Sequence, residues 1–286
     1  MSVFDRFRLD GKKMLITGGS RGLGREMVLA IAEAGADIIV TGRREGSLQS
    51  IAEEVTALGR QVWTIQADMN APTRCEEVCE QVIAEHGAVD ILINNVGGRR
   101  EDIPTEDMSL EKWRELMDLN LTSTFVCTSR MGKAMIAAGQ GGRIINIGSI
   151  NSLVAGRNIT GRHYETAKGA VLQLTRSVAA DWAQHGITVN AILPGGFMTE
   201  PNQKWAREKP DVVSTFRQQI PMGDHGQPED LGPLALYLAS DASRYMTGAG
   251  LVIVCLDMFN AHTAKGETPT ALLKSDTATS HLKALH

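Results

Sequence analysis

Lys13-Met14-Leu15-Ile16-Thr17-Gly18-Gly19-Ser20-Arg21-Gly22-Leu23-Gly24 is the stretch that decides the fold. Its first five residues make an apolar run that reads as a buried strand, and 26–34 beyond the glycines carries helical periodicity. Glycines between a strand and a helix let the backbone turn tightly and approach a pyrophosphate, whose charge is met by free N–H groups at the helix N-terminus. The strand-turn-helix frame makes Gly18, Ser20, Arg21, Gly22, Leu23 and Gly24 candidates for a dinucleotide site. A purely structural turn of the same composition is the plainer alternative.

Outward from this unit the pattern repeats. Apolar, β-branched runs at 13–17, 37–41, 61–67, 90–93, 143–147, 188–191 and 251–255 alternate with helical segments near 22–34, 46–58, 72–86, 109–138, 163–185 and 228–239. Strands that are apolar along their whole length belong to a parallel sheet covered on both faces. The expectation is therefore an α/β fold of one domain over 1–260: a Rossmann-type doubly wound parallel sheet of about seven strands with helices on both faces. The proline-rich segment 195–227 interrupts the rhythm and is placed to act as a mobile cover. Residues 261–286 are small and polar, a tail expected to fray or to dock at a subunit interface.

Composition excludes several partners. The 286 residues carry 29 basic and 33 acidic side chains, a formal charge of -4, with no basic stripe to follow nucleic acid. No apolar run approaches the ~20 residues of a membrane helix, and residues 1–10 are too polar for a signal-peptide core, so a soluble, cytoplasmic protein is expected. The four cysteines, Cys75, Cys79, Cys127 and Cys255, are too scattered for a disulfide framework. Cys75 and Cys79 share a helical face but lack a nearby His or second Cys pair, and no metal site is expected.

Tyr164 and Lys168 stand one helical turn apart, and Ser149 closes the apolar run that precedes them. Together with the spacing Thr-Gly-x-x-x-Gly-x-Gly at 17–24, they resemble the short-chain dehydrogenase/reductase family. Further matches follow in the family's order over roughly 8–255: Asp68, Asn94-Asn95-Val96-Gly97, Asn120, Ser149, Tyr164 with Lys168, and Pro194-Gly195 with Thr199. Val96 stands where the family usually has Ala, and the Asp-Gly-Gly segment usual after the last strand is missing.

The resemblance implies that Asp68 holds the adenine amine, that Asn95 and Gly97 flank the adenosine side, and that Pro194, Gly195 and Thr199 hold the nicotinamide carboxamide. Lys168 would hold the nicotinamide ribose, with Tyr164 beside it. Plainer readings stand alongside: Asp68 as a turn cap, Asn94 and Asn95 as loop-backbone partners, Thr199 as the N-cap of the next helix. After the second strand, where an acidic residue would accept from a ribose 2′-OH, the chain has Arg43 and Arg44. Arg43, with Arg21 opposite, suits a 2′-phosphate, so NADP is expected over NAD; solvated helix-entry charges are the alternative.

A hydride moving between a carbinol carbon and nicotinamide requires a proton to move at the oxygen. Tyr164 is the expected donor, with Lys168 lowering its pKa, Ser149 bonding the substrate oxygen and Asn120 positioning a water that connects Lys168 to solvent. The expected activity is interconversion of a secondary alcohol and a ketone or aldehyde. Arg99, Arg100, Arg157, Arg162 and His163 would suit an anionic substrate if they converge on the pocket mouth, with solvated loop arginines as the commoner reading, and aromatics other than Phe197 and Trp205 are scarce there. A small polar sugar acid, polyol or hydroxy acid fits, as in the sugar-acid and polyol members of the family. The competing readings are a non-catalytic dinucleotide sensor, a reductase of uncharged ketones such as 3-oxoacyl thioesters, and a nucleotide-sugar epimerase or dehydratase. A homotetramer or homodimer is expected.

Overall fold

The structure, a computed structural model, describes residues 2–99, 101–155, 160–208, 217 and 220–254. Arg100, Arg157, Cys255 and the tail 261–286 lie outside the described residues, as does the side chain of Trp205. Seven strands form one sheet: β1 Lys13–Ile16, β2 Asp37–Gly42, β3 Val62–Gln66, β4 Ile91–Asn94, β5 Gly142–Ile147, β6 Ile187–Pro194 and β7 Gly250–Ile253. Every pairing is parallel, in the order β3-β2-β1-β4-β5-β6-β7. β6 is buried at every position, as a strand covered on both faces must be.

The helices are α1 Gly22–Glu33, α2 Glu45–Ala57, α3 Pro72–His86, α4 Leu110–Met117, α5 Ser123–Ala138, α6 Arg162–Trp182, α7 Glu200–Glu208 and α8 Gly232–Ala239. They bury two apolar layers. One packs Met27, Val28 and Ile31 of α1 and Ala235 and Leu238 of α8 on one face of the sheet; the other packs Val78, Val82, Met131 and Met135 of α3 and α5 on the opposite face. Cys75, Cys79 and Cys127 belong to this second layer and are buried, the packing role expected for the first two.

The helix expected over 109–138 is interrupted. A wide π-type turn, Asp118–Thr122, separates α4 from α5 and carries Asn120. Such one-turn insertions recur at functional sites because they re-aim a side chain within a continuous helix. The expected cover contains a helix, α7, and β6 runs to Pro194 rather than stopping at 191.

Because the strands are parallel, all their carboxyl ends open on one edge. The order reverses between β1 and β4, so the loops after these two strands diverge and leave a crevice at the switch point.

Candidate active site

The glycine loop lies at that crevice. Gly18 and Gly22 have φ of +67° and +55°, left-handed values that a side chain disfavours. A Cβ on Gly24 would sit 2.3 Å from Gly18 O and 2.7 Å from the Asn95 amide, so α1 can begin this close to the loop only as glycine. Arg21 precedes α1 without a side-chain cap, leaving the first-turn N–H groups of the helix without that partner. Bare donors over a cradle that a methyl would fill suit the pyrophosphate of a dinucleotide.

Asn95 holds this loop in place. Its side-chain amide donates to Thr17 O at 3.1 Å and Gly18 O at 2.8 Å, and its backbone N–H donates to Thr17 Oγ1 at 3.0 Å. Asp68 is exposed and accepts from Asn70 N–H at 3.2 Å, so it caps a turn at the crevice rim while keeping an accessible carboxylate. Arg43 and Arg44 are exposed beyond β2, and among the described residues no carboxylate is paired with either. Arg21, by contrast, lies 3.7 Å from Glu200 of α7, and Thr199 stands within 3.8 Å of where a Cβ on Gly22 would be. Thr199 O accepts from Gln203 N–H at 2.8 Å as α7 begins. Gly195 N–H donates to Ile253 O, and a Cβ there would strike Val254 at 2.1 Å, so Pro194-Gly195 is fitted against the end of β7.

The second group converges from β4, β5 and α6. Lys168 is only 3% exposed, and its ammonium donates to Ile147 O at 2.7 Å. Burial lowers its pKa to about 8. A Cβ on Gly97 would come within 2.9 Å of both Lys168 Nζ and Asn120 Oδ1, which explains a glycine there. Asn120 clamps the next residue, accepting from Gly98 N–H at 2.8 Å and donating to Gly98 O at 3.1 Å and Leu116 O at 2.9 Å. Its amide is thus engaged in fixing the loop after β4, a role different from the water positioning that the resemblance implies.

Ser149 is buried and accepts from Asn151 N–H at 3.1 Å. Burial raises the Tyr164 phenol above its ordinary value, while the nearby Ser149 hydroxyl and the charge of Arg99 act in the opposite direction. The Arg99 guanidinium lies 4.9 Å from the centre of the Tyr164 ring, nearer than Lys168 Nζ at 5.9 Å. Arg99 is thus a second cation beside the phenol, one that the sequence reading did not assign to it.

Arg99 and Arg162, two of the expected substrate cations, share one carboxylate. Glu165 lies 3.5 Å from Arg99 and 2.7 Å from Arg162, and accepts from Asn151 Nδ2 at 3.4 Å. His163 is buried and its Nε2 contacts Arg99 O at 3.0 Å. Sequence reading missed Glu165 and Asn151. The signal for Glu165 was its position beside Tyr164, one turn's reach from Arg162; Asn151 had no distinguishing pattern.

An open parallel sheet whose crevice joins a bare helix N-terminus to a half-buried tyrosine and a buried serine and lysine has the build of a nucleotide-dependent oxidoreductase. The family model described as enoyl-(acyl carrier protein) reductase matches residues 18–254. The 2-dehydro-3-deoxy-D-gluconate 5-dehydrogenase of Dickeya dadantii (strain 3937) is 38% identical over 252 residues, 88% of this chain and 97% of its own length. Galactitol 2-dehydrogenase (L-tagatose-forming) of Cereibacter sphaeroides is 36% identical over 250 residues, covering 86% and 95%. Among solved structures, a gluconate 5-dehydrogenase from Burkholderia cenocepacia J2315, in complex with NADP and tartrate, matches with a TM-score of 0.80 at 34% identity over 88% of this chain and 97% of that one. The chain belongs to the short-chain dehydrogenase/reductase family and is one of its oxidoreductases. No helix among the described residues is long and apolar enough to cross a membrane, and no cluster of His, Cys, Asp or Glu there could hold a metal ion.

Proposed function

We propose that the protein is an NADP-dependent oxidoreductase that interconverts a secondary alcohol and a ketone on a small polar sugar acid, polyol or hydroxy acid. The observation that carries this reading is the joining of the glycine cradle to Tyr164, Ser149 and Lys168 across the loop after β4, where Gly97 touches the lysine and Asn95 ties down the cradle. The relatives named above support the substrate class, and the solved neighbour with NADP and tartrate supports both the cofactor and a hydroxy acid.

NADP, when bound, supplies the hydride donor or acceptor. Its pyrophosphate would rest on Gly18, Ser20, Gly22, Leu23 and Gly24, its 2′-phosphate against Arg43, its adenine by Asp68, and its nicotinamide end against Pro194, Gly195 and Thr199. Tyr164 gives its phenolic proton to the carbonyl oxygen in reduction and takes it back in oxidation. Ser149, whose hydroxyl lowers the pKa of that phenol, holds the same substrate oxygen and stabilises the charge that develops there. Burial lowers the Lys168 pKa to about 8, so this ammonium can change charge near neutral pH and restore the phenol's proton. The segment containing α7 serves as the cover, tied to the glycine loop by Arg21 and Glu200. Phe125, Leu153 and Val252 leave apolar surface exposed, which supports a homo-oligomer, dimer or tetramer, measurable by light scattering.

Turnover of NADPH and NADH with a panel of keto sugar acids, keto polyols, 3-oxoacyl thioesters and nucleotide sugars tests the reading. Tyr164→Phe should lower turnover by about 10²- to 10⁴-fold, with NADPH affinity in a fluorescence titration nearly unchanged. Retention of most of the activity would remove Tyr164 from the mechanism, and NADPH binding without turnover of any substrate would favour the sensor.

A further inference from the structure

We infer that Glu165 is a positioning and specificity-determining residue, whose carboxylate holds Arg99 over the Tyr164 ring and sets how much positive charge the substrate meets beside it. The inference rests on Tyr164 being the proton donor proposed above. Glu165 joins three separate elements. On the loop after β4 it meets Arg99, which also donates to Thr160 O at 2.8 Å and Gly161 O at 3.2 Å and lies 3.9 Å from Asp102. On α6 it meets Arg162, and after β5 it accepts from Asn151, whose backbone N–H donates to Ser149 Oγ. The carboxylate is itself 10% exposed, so its charge is felt by its neighbours more than by water.

Charge around Tyr164 can be counted from each packed element. The loop after β4 brings Arg99, with Asp102 on its far side; β5 and the turn after it bring only the neutral Ser149 and Asn151. α6 brings Arg162, Glu165, Lys168 and His163, whose imidazole faces Arg99 O, and the π-type turn brings the neutral Asn120. Among the described residues, Glu165 is a carboxylate contacting both Arg99 and Arg162. With it, the charge of the Arg99 guanidinium over the Tyr164 ring is offset by a carboxylate at 3.5 Å; without it, Arg99 acts more strongly on the phenol and on an incoming carboxylate. Glu165 therefore tempers both the acidity of the phenol and the preference for anions.

Glu165→Gln keeps the shape and removes the charge, and Glu165→Asp keeps the charge. In the oxidation direction, the acid limb of the kcat/KM profile of Glu165→Gln should move down by about half a pH unit or more. Its KM for an anionic hydroxy acid, such as gluconate, should fall several-fold relative to the matching neutral polyol, with Glu165→Asp restoring the wild-type pattern. Circular dichroism and NADPH affinity of both variants establish that they are folded. A Glu165→Gln profile superimposable on wild type, with an unchanged charged-to-neutral ratio, overturns the inference while leaving the oxidoreductase reading intact. Full activity of Tyr164→Phe overturns both.

Discussion

At the residue scale, Lys168 has the clearest thermodynamic signature. Its ordinary pKa is 10.5 and burial lowers it to about 8, so between these values the unfolded chain binds the extra proton. Stability should consequently rise as pH increases from about 8 to 10.5, and below 8 the fold carries the full cost of a buried ammonium, of order 3 kcal/mol. Lys168→Met removes that cost but leaves Ile147 O without its donor, so the net gain expected at pH 7 is about 1–2 kcal/mol, with activity lost. Urea unfolding at pH 7 and 10 should show the variant more stable at the lower pH and flatter between the two; a variant less stable at pH 7 would show that the Ile147 bond outweighs desolvation. Arg43 offers the corresponding test on the cofactor. Arg43→Asp exchanges a phosphate partner for a ribose-hydroxyl acceptor, and a charge-assisted contact of about 1.5–3 kcal/mol predicts a roughly 10- to 150-fold shift in the kcat/KM ratio toward NADH. An unchanged ratio would leave Arg43 a surface charge.

At the scale of elements, the β1–α1 unit was legible because glycine has a physical reason at each place where the chain turns. Gly24→Ala pushes a methyl against Gly18 O and the Asn95 amide, neither of which can yield without opening the cradle. NADPH affinity should fall at least tenfold, and thermal stability should drop with it. Gly46→Ala on α2 is the matched control: nothing lies within 4 Å of its added methyl, and helix propensity predicts a gain of up to about 1 kcal/mol. Equal loss of NADPH binding in both variants would mean that the cradle is not the site. The 109–138 segment was less legible. Its periodicity is continuous, so the sequence shows one helix, whereas the wide turn at Asp118–Thr122 depends on Asn120 finding partners on the loop after β4. Those partners are far away in sequence, and local propensity carries no trace of them.

For the whole molecule, strand count and parallel arrangement both followed from apolar runs alternating with helices. Ser149, Tyr164 and Lys168 could be read as a group because their spacing repeats a known order. Their electrostatics could not: the arginine over the phenol comes from the loop after β4 and the carboxylate restraining it from α6, and charge compensation is a property of the assembled crevice. One feature of that assembly bears on how the protein is made. The Asn95 tie spans 78 residues back to Thr17, and Met14 of β1 pairs with Ile91 of β4, so neither the sheet's centre nor its glycine turn can be completed from local chain alone. During translation the N-terminal βα units emerge first, yet β1 waits for β4 before its second edge is covered. Long-range parallel pairing of this kind folds slowly and leaves apolar strand edges exposed meanwhile. The nascent chain thus acquires its cofactor cradle late, in the same step that closes the sheet, and the interval before that step is when it most needs protection from aggregation.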